Sequence, residues 1–494
     1  MDYQRPDVYF EKINSGEQPI QIQGSSTGAL IGKSPRGKAF EPMLVTSWSD
    51  FIRKFAKGIP MPFIKEDNLA YSVYGFFQNG GNRLYVQRVV DSGAKKAKGT
   101  FSPALTGVSL KEKEVLPKAV NTISFFAKDE GDWGNELTLE VKTKTGVEGG
   151  FDFLVKMSGA VVESFVVTNG VDSDYYFKDV INATSNFIEI TGEGDIAAGT
   201  AKFATGVQTY ASVNDSDYKK AITNFELVEE KINLIAVPGI TTDAVIQALV
   251  EYADKHGAFP IFDSPVGNDR ETEITYRKKF TGDNGAVYYP NIKVVDPLSK
   301  QGNLKICPPS GHLMGVYART DRERGVFKVP AGQEAIIKGA VALEKPILAE
   351  DLNELNPLGV NCLVSKTNRG IVAWGGRTIS LQPKLRYISD VRLDQIIEET
   401  AYQGTQWAIF EPNDEDLWER LTTSLKGMLH TMFERGWFKG KNAEQAYYVK
   451  CDGDLNTQQS IDRGEIIAEI GYAKKRPAEF VVIRVVQKSG EASK

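Results

Sequence analysis

The chain has 494 residues, 41% hydrophobic and 25% charged, with a formal net charge of −5. That length is too great for one core and predicts roughly two to four domains. The acidic balance excludes the usual basic nucleic-acid binder, and no apolar run reaches the roughly 18 residues that span a bilayer.

Residues 7–13 form the first strand-like run, with Val8, Tyr9, Phe10 and Ile13 following Asp7 and with Arg5-Pro6 setting the run off. Asp2, Arg5, Asp7 and Glu11 leave no apolar core for a signal peptide, so the reading is a protein made in a reducing cytoplasm. The three cysteines, Cys307, Cys362 and Cys451, are too far apart to imply a disulfide framework. Residues 27–32 read as a short buried strand closed by a loop over 33–37. Ser47 is placed to cap a helix beginning at Trp48. Residues 71–78 predict a helix ending at Asn79-Gly80-Gly81-Asn82, and residues 83–90 alternate as a strand.

Composition then shifts. From 91 to 216 the chain is rich in Gly, Ser, Thr, Val and Phe, with strand-like runs over 137–141, 151–156, 161–167 and 187–190. This reads as a mostly β surface insertion, bounded by a flexible stretch over 92–99. Beyond it the pattern is α/β. Residues 233–239 read as a buried strand, 242–256 as an amphipathic helix and 259–263 as a second strand, the spacing of a βαβ unit. Near the end, Asn413 is the expected N-cap of a long helix. Leu417, Trp418, Leu421, Leu425, Met428, Leu429 and Met432 recur there at spacings of three and four. The last strand-like run covers 479–487, with Phe480, Val481, Val482, Ile483, Val485 and Val486. A terminal strand can complete its own sheet or pair with a neighbour's sheet edge, because its backbone groups bond equally well to either.

Catalytic signatures fail when tested. Residues 28–34 read GALIGKS, but Thr27 stands where a phosphate loop needs glycine, and Pro35 follows where its helix should run on. Asp452, Asp454 and Asn456 imitate half a calcium loop, but Thr457 replaces the turn glycine and Arg463 the bidentate glutamate. A hydrogen-bonded turn is the better reading. His256, His312 and His430 lie in three separate segments, which rules out clustered zinc ligands. Ser310-Gly311-His312 lacks the glycines of a nucleophile elbow. An α/β enzyme is therefore the weaker alternative, and no cofactor is expected.

An ordered set of short motifs runs along the chain. It begins with Pro6-Asp7-Val8-Tyr9 and Thr27-Gly28-Ala29-Leu30-Ile31-Gly32, then Phe76-Phe77-Gln78-Asn79-Gly80-Gly81. Ala318-Arg319-Thr320-Asp321 with Gly325 and Pro330 follows, then Trp374-Gly375-Gly376-Arg377. Trp407-Ala408-Ile409-Phe410-Glu411-Pro412-Asn413, Tyr447-Tyr448-Val449-Lys450-Cys451-Asp452 and Pro477-Ala478-Glu479-Phe480 complete it. Taken in this order, the set resembles the sheath proteins of contractile phage tails, tailocins and contractile injection systems, with residues 91–216 matching least.

The resemblance implies an α/β and α+β multidomain chain. Residues 1–20 would be an arm strand, 21–90 with 217–350 an α/β middle domain, and 91–216 a β-rich outer insertion. Residues 351–475 would form an α+β inner domain and 476–494 a second arm. It implies hexameric rings stacked helically around an inner tube, with baseplate and tail terminator proteins as partners. It implies no direct nucleic-acid contact and no membrane insertion. The terminal strands, carrying Asp7, Val8, Tyr9, Phe10, Ile13, Phe480, Val481, Val482, Ile483, Val485 and Val486, would join neighbours' sheets. Arg420, Lys426, His430, Arg435 and Lys439, on the long helix and just after it, would face the tube. The expected location is the virion tail, assembled in the host bacterial cytoplasm.

Overall fold

A computed structural model describes residues 20–57, 62–65, 67–103, 123–207, 210, 212–280 and 282–479. The terminal runs expected at 7–13 and 480–487 lie outside the described residues. Contacts divide the chain into two bodies. The larger comprises Ser26–Arg319 and Pro330–Leu381; the smaller takes Thr320–Val329 and the segments before Ser26 and after Leu381.

The larger body starts with β1 (Gly28–Gly32), whose five residues are all buried. β2 (Met43–Val45) and α1 (Trp48–Phe55) follow; the Ser47 hydroxyl accepts the Asp50 amide at 3.1 Å, the expected cap. α2 (Leu69–Gln78) ends at buried Asn79, whose side-chain amide donates to the carbonyls of Gly75 and Lys338 at 2.9 and 3.0 Å. β3 (Leu84–Arg88) then pairs in parallel with β1.

The insertion contains β4 (Lys96–Pro103), β5 (Ser124–Glu130), β6 (Leu137–Thr143), β7 (Gly150–Met157), β8 (Ala160–Thr168), α3 (Phe177–Thr184), β9 (Ile188–Thr191) and β10 (Gly199–Ala204). Its strands make one antiparallel sheet in the order β8-β7-β6-β10-β4-β5-β9, around a core that includes Phe125, Trp133, Phe153 and Ile188. The stretch expected to be flexible, 92–99, is corrected from Lys95 on, by its bridge to Val207 and by β4, while Ser92 and Gly93 form a turn. Lys98 and Gly99 pair with Ala204 and Phe203, and Ala97 is fully buried. Gly99 lies beneath the Phe203 ring, where a Cβ would approach to 2.9 Å. Small residues that look like a linker in sequence are here the only ones that fit under a ring.

The central sheet resumes after α4 (Asp215–Asn224) with β11 (Leu234–Ala236), α5 (Asp243–His256) and β12 (Phe259–Asp263), a parallel βαβ unit as expected. α6 (Arg270–Arg277), β13 (Ala286–Tyr289), β14 (Ile292–Val295), β15 (Leu304–Cys307), α7 (Ser310–Arg324), β16 (Ala340–Leu343), α8 (Ala349–Leu355), β17 (Val360–Lys366) and β18 (Gly370–Ala373) follow. Eight strands lie in the order β18-β17-β13-β12-β11-β1-β3-β2, parallel except for the two edges. The inner strands β1, β11 and β13 are continuous buried, mostly apolar runs, as expected where helices cover both faces of a parallel sheet. Since β17 and β18 complete this sheet, the boundary expected between 350 and 351 moves to Leu381.

The smaller body contains α9 (Ile388–Thr405), α10 (Glu415–Glu434), α11 (Ala443–Ala446), β19 (Tyr447–Lys450), α12 (Gln458–Asp462) and β20 (Glu469–Tyr472). Its core joins Leu393, Ile396 and Ile397 to Leu425, Met428, Leu429 and Met432, with Ile20 and Ile22 packed against it. All seven apolar positions foreseen on α10 are buried. The cap is corrected by one residue. Asp414 accepts the Leu417 amide at 3.0 Å, while Asn413 accepts the indole N–H of Trp418 at 2.8 Å. Asn413 is drawn away because a buried indole donor must be satisfied.

Candidate assembly surface in the smaller body

β19 and β20 pair antiparallel from Tyr447↔Tyr472 to Lys450↔Glu469, and no third strand joins them among the described residues. Two strands alone are marginal, and among the described residues only the Phe438–Lys474 bridge, just past β20, adds to the pair. One face is backed by α10: Val449 enters the core, and the Phe433 ring lies 6.3 Å from that of Tyr447.

A groove of about 640 Å³ runs beside β20. Ile466, Ala468 and Ile470 line it at alternate positions, the period of an extended chain, opposite Tyr402, Ile409, Phe410, Leu421 and Leu425. Phe410 is fully exposed and holds a left-handed φ of 68°, which costs a non-glycine residue of order 1 kcal/mol. An apolar patch kept in water at such cost marks a contact surface.

The approach to β20 is fixed by the calcium look-alike. Asp452 Oδ1 accepts the amides of Asp454 and Leu455 at 3.1 and 3.3 Å, the hydrogen-bonded turn foreseen. Within that turn, buried Asn456 exchanges two hydrogen bonds with the backbone of Ile467.

The five cations have unequal surroundings. Arg420 bonds Glu411 at 3.4 Å and lies 4.6 Å from the Trp407 ring centre. His430 faces Glu434 at 3.4 Å and the Tyr447 hydroxyl at 3.1 Å. Lys426, Arg435 and Lys439 are exposed. Arg435 caps the carboxyl end of α10, where the helix dipole favours positive charge.

The sites suggestive of chemistry are occupied by structure. After β1, the Lys33 ammonium donates to the Tyr210 carbonyl at 3.1 Å and Ser34 to the Arg36 carbonyl at 2.6 Å, and no helix starts there to cradle a phosphate. Ser310 gives its hydroxyl and amide to Asp263 at 2.7 and 2.8 Å, and neither residue is reachable from solvent. Burial pushes the Asp263 carboxyl up to about 6 despite its three donors. Burial also pulls His312 down to about 4, with its ring flat against Gly75, where a side chain would overlap it. No cluster of His, Cys, Asp or Glu suited to a metal occurs among the described residues.

Residues 211–379 match the phage tail sheath protein central domain and residues 380–488 the phage tail sheath C-terminal domain, together more than half of the chain. The chain belongs to the phage tail sheath family. It is 26% identical over 259 residues to a prophage major tail sheath protein of Pseudomonas aeruginosa, covering 51% of this chain. With the tail sheath protein of Salmonella phage ViI it shares 23% identity over 338 residues, 64% of this chain. The chain spans 64% and 51% of the lengths of these relatives. It shares its fold with the helical sheath of the anti-feeding prophage in its contracted state, at a TM-score of 0.60, with 22% identity, over 99% of this chain and 100% of that one.

In this sheath-family chain the groove escaped the sequence reading. The alternation of Ile466, Ala468 and Ile470 was a usable signal, but the walls come from α9 and α10 and carry no local mark.

Proposed function

We propose that the chain is the structural subunit of a contractile tail sheath and not an enzyme. Copies form hexameric rings stacked helically around an inner tube, between a baseplate and a terminator, and contraction drives the tube through a target envelope. The particle is a phage tail assembled in the host cytoplasm. A tailocin or extracellular injection particle is the second reading, favoured by the shared fold with the anti-feeding prophage sheath.

The observation that carries the reading is the two-stranded β19–β20 sheet, which no third strand joins among the described residues, beside an apolar groove. Asp7, Val8, Tyr9, Phe10 and Ile13 from one neighbour, and Phe480 to Val486 from another, extend this sheet. Such contacts do not close on themselves, so they propagate a helix. The exchanged strands keep subunits connected while their bodies move to a second packing, and the difference between the two packings is the stored energy. Arg420, Lys426, His430, Arg435 and Lys439 meet the tube by weak, salt-screened contacts that let it slide.

Electron microscopy of three purified proteins tests this: the full chain, one lacking residues 1–15, and one ending at Lys475. The full chain should form rings or tubes, and each truncation a folded body without long tubes. Normal polymerisation of either truncation would refute strand exchange.

A further inference from the structure

Both terminal segments are anchored on one helix. On one side of α9, Arg392 forks the Asp321 carboxylate at 2.9 and 2.6 Å, and both side chains are almost wholly buried. The same guanidinium donates to the Ser25 carbonyl at 2.8 Å, and the Ser25 hydroxyl donates to Asp321 at 2.8 Å. Further along the helix, Thr400 accepts the Gln23 amide at 3.3 Å, and Ile20 lies on Gly404, where any side chain would overlap it. Residues 20–25 are thus held by charge, hydrogen bonding and packing together.

The other side holds the opposite end of the chain. Asp394 accepts from both the Tyr472 hydroxyl and the Lys474 ammonium, and Lys474 also reaches the Asp390 carbonyl at 3.3 Å. The Arg476 guanidinium lies 4.0 Å from the Asp390 carboxylate, and Tyr387 donates to Glu479 at 3.3 Å. At about 100° per residue, positions 390 and 394 each lie roughly 200° round the helix from 392. Arg392 and Asp394 therefore face opposite ways from a single helix, while the segment back to Ile20 winds round it, since Thr400 and Gly404 lie roughly 80° and 120° from Arg392. Each anchorage lies at the root of a terminal arm.

We propose that α9 is the strut through which tension on the N-terminal arm passes to the C-terminal arm, with Arg392 and Asp394 as positioning residues. This rests on the strand-exchange reading above. A neighbour pulling on residues before Ile20 loads the Arg392 side, and a different neighbour pulling beyond Glu479 loads the Asp394 side. A buried ion pair suits this task, because tearing Ser25 away leaves both the Arg392 guanidinium and the Asp321 carboxylate short of a hydrogen-bond partner away from water. α9 also supplies Leu393, Ile396 and Ile397 to the core of the smaller body, which backs the helix against this load.

Hydrogen exchange of the isolated full-length chain, joined to microscopy of assembled and contracted tubes, tests the strut. Arg392→Lys, which keeps the charge but loses the fork, should speed exchange over residues 20–26 about tenfold and leave 472–479 unchanged. Asp394→Asn should do the reverse, with little change in melting temperature. If Arg392→Lys does not fold, Ser25→Ala removes one bond of the same clamp and should act in the same direction. Tubes of each variant should assemble and then fragment on contraction, where wild-type tubes remain whole. Unmoved exchange at both roots, or released roots with intact contracted tubes, overturns the strut and leaves the sheath reading standing. A wild-type chain that makes no tubes overturns both.

Discussion

Asn456 and Ile467 hold each other by both polar groups of a side chain and both of a backbone unit. The Ile467 amide donates to Asn456 Oδ1 at 2.7 Å, and Asn456 Nδ2 donates back to the Ile467 carbonyl at 3.1 Å. The pairing copies a strand ladder and sets the register in which residues 466–470 reach the groove. Asn456→Ala leaves both backbone groups unpaired and should cost about 2–4 kcal/mol. Urea unfolding measures the loss, and exchange at residues 466–472 should rise with it.

Stability should fall as pH rises through neutrality because of Glu273. The side chain is fully buried, accepts from Ser264 and Asn268 at 2.7 and 2.8 Å, and burial pushes its carboxyl up to about 7. The folded chain holds this proton more tightly than the unfolded one, whose carboxyl titrates at about 4.3. The stabilisation is therefore complete below that value and is lost as pH climbs through about 7. Glu273→Gln should flatten the decline in melting temperature between roughly pH 5 and 8. A decline as steep as that of the wild type would assign the effect elsewhere.

Trypsin should spare Lys95, Lys96 and Lys98, since the Lys95 backbone is bonded to Val207 in both directions and β4 lies inside its sheet. The junction depends on buried Arg88, which donates to the carbonyls of Ser34, Gly37 and Glu130 at 2.9, 2.7 and 3.0 Å. Arg88→Met strands these acceptors and should cost at least about 3 kcal/mol. In a limited digest read by mass spectrometry, the variant should open first near these lysines.

Lys426→Glu combined with Arg435→Glu should reduce assembly around purified inner tubes at low salt, with a melting temperature close to wild type. Both side chains are exposed, so their reversal disturbs no core contact. Arg420 and His430 are poorer choices, because each already has partners within the subunit. Undiminished co-assembly would return these cations to the solvent.

Local pattern was enough wherever neighbours in sequence do the work. The apolar run of β1, the Ser47 cap, the βαβ unit from Leu234 to Asp263 and the buried stripe of α10 depend on contacts one or two turns away, or on burial that the run itself records. The turn at Asp452 was legible for the same reason. Tertiary structure decided the rest. Lys96–Gly99 is strand because Phe203 covers a glycine, and β17 belongs to the central sheet because β13 accepts it. Asp414 rather than Asn413 caps α10 because an indole claims the asparagine. The clamp joining Ser25 to Arg392 closes across 367 positions, and the groove beside β20 takes its walls from two helices. Periodicity reports which side of an element is buried; it carries no information about which distant residue does the burying.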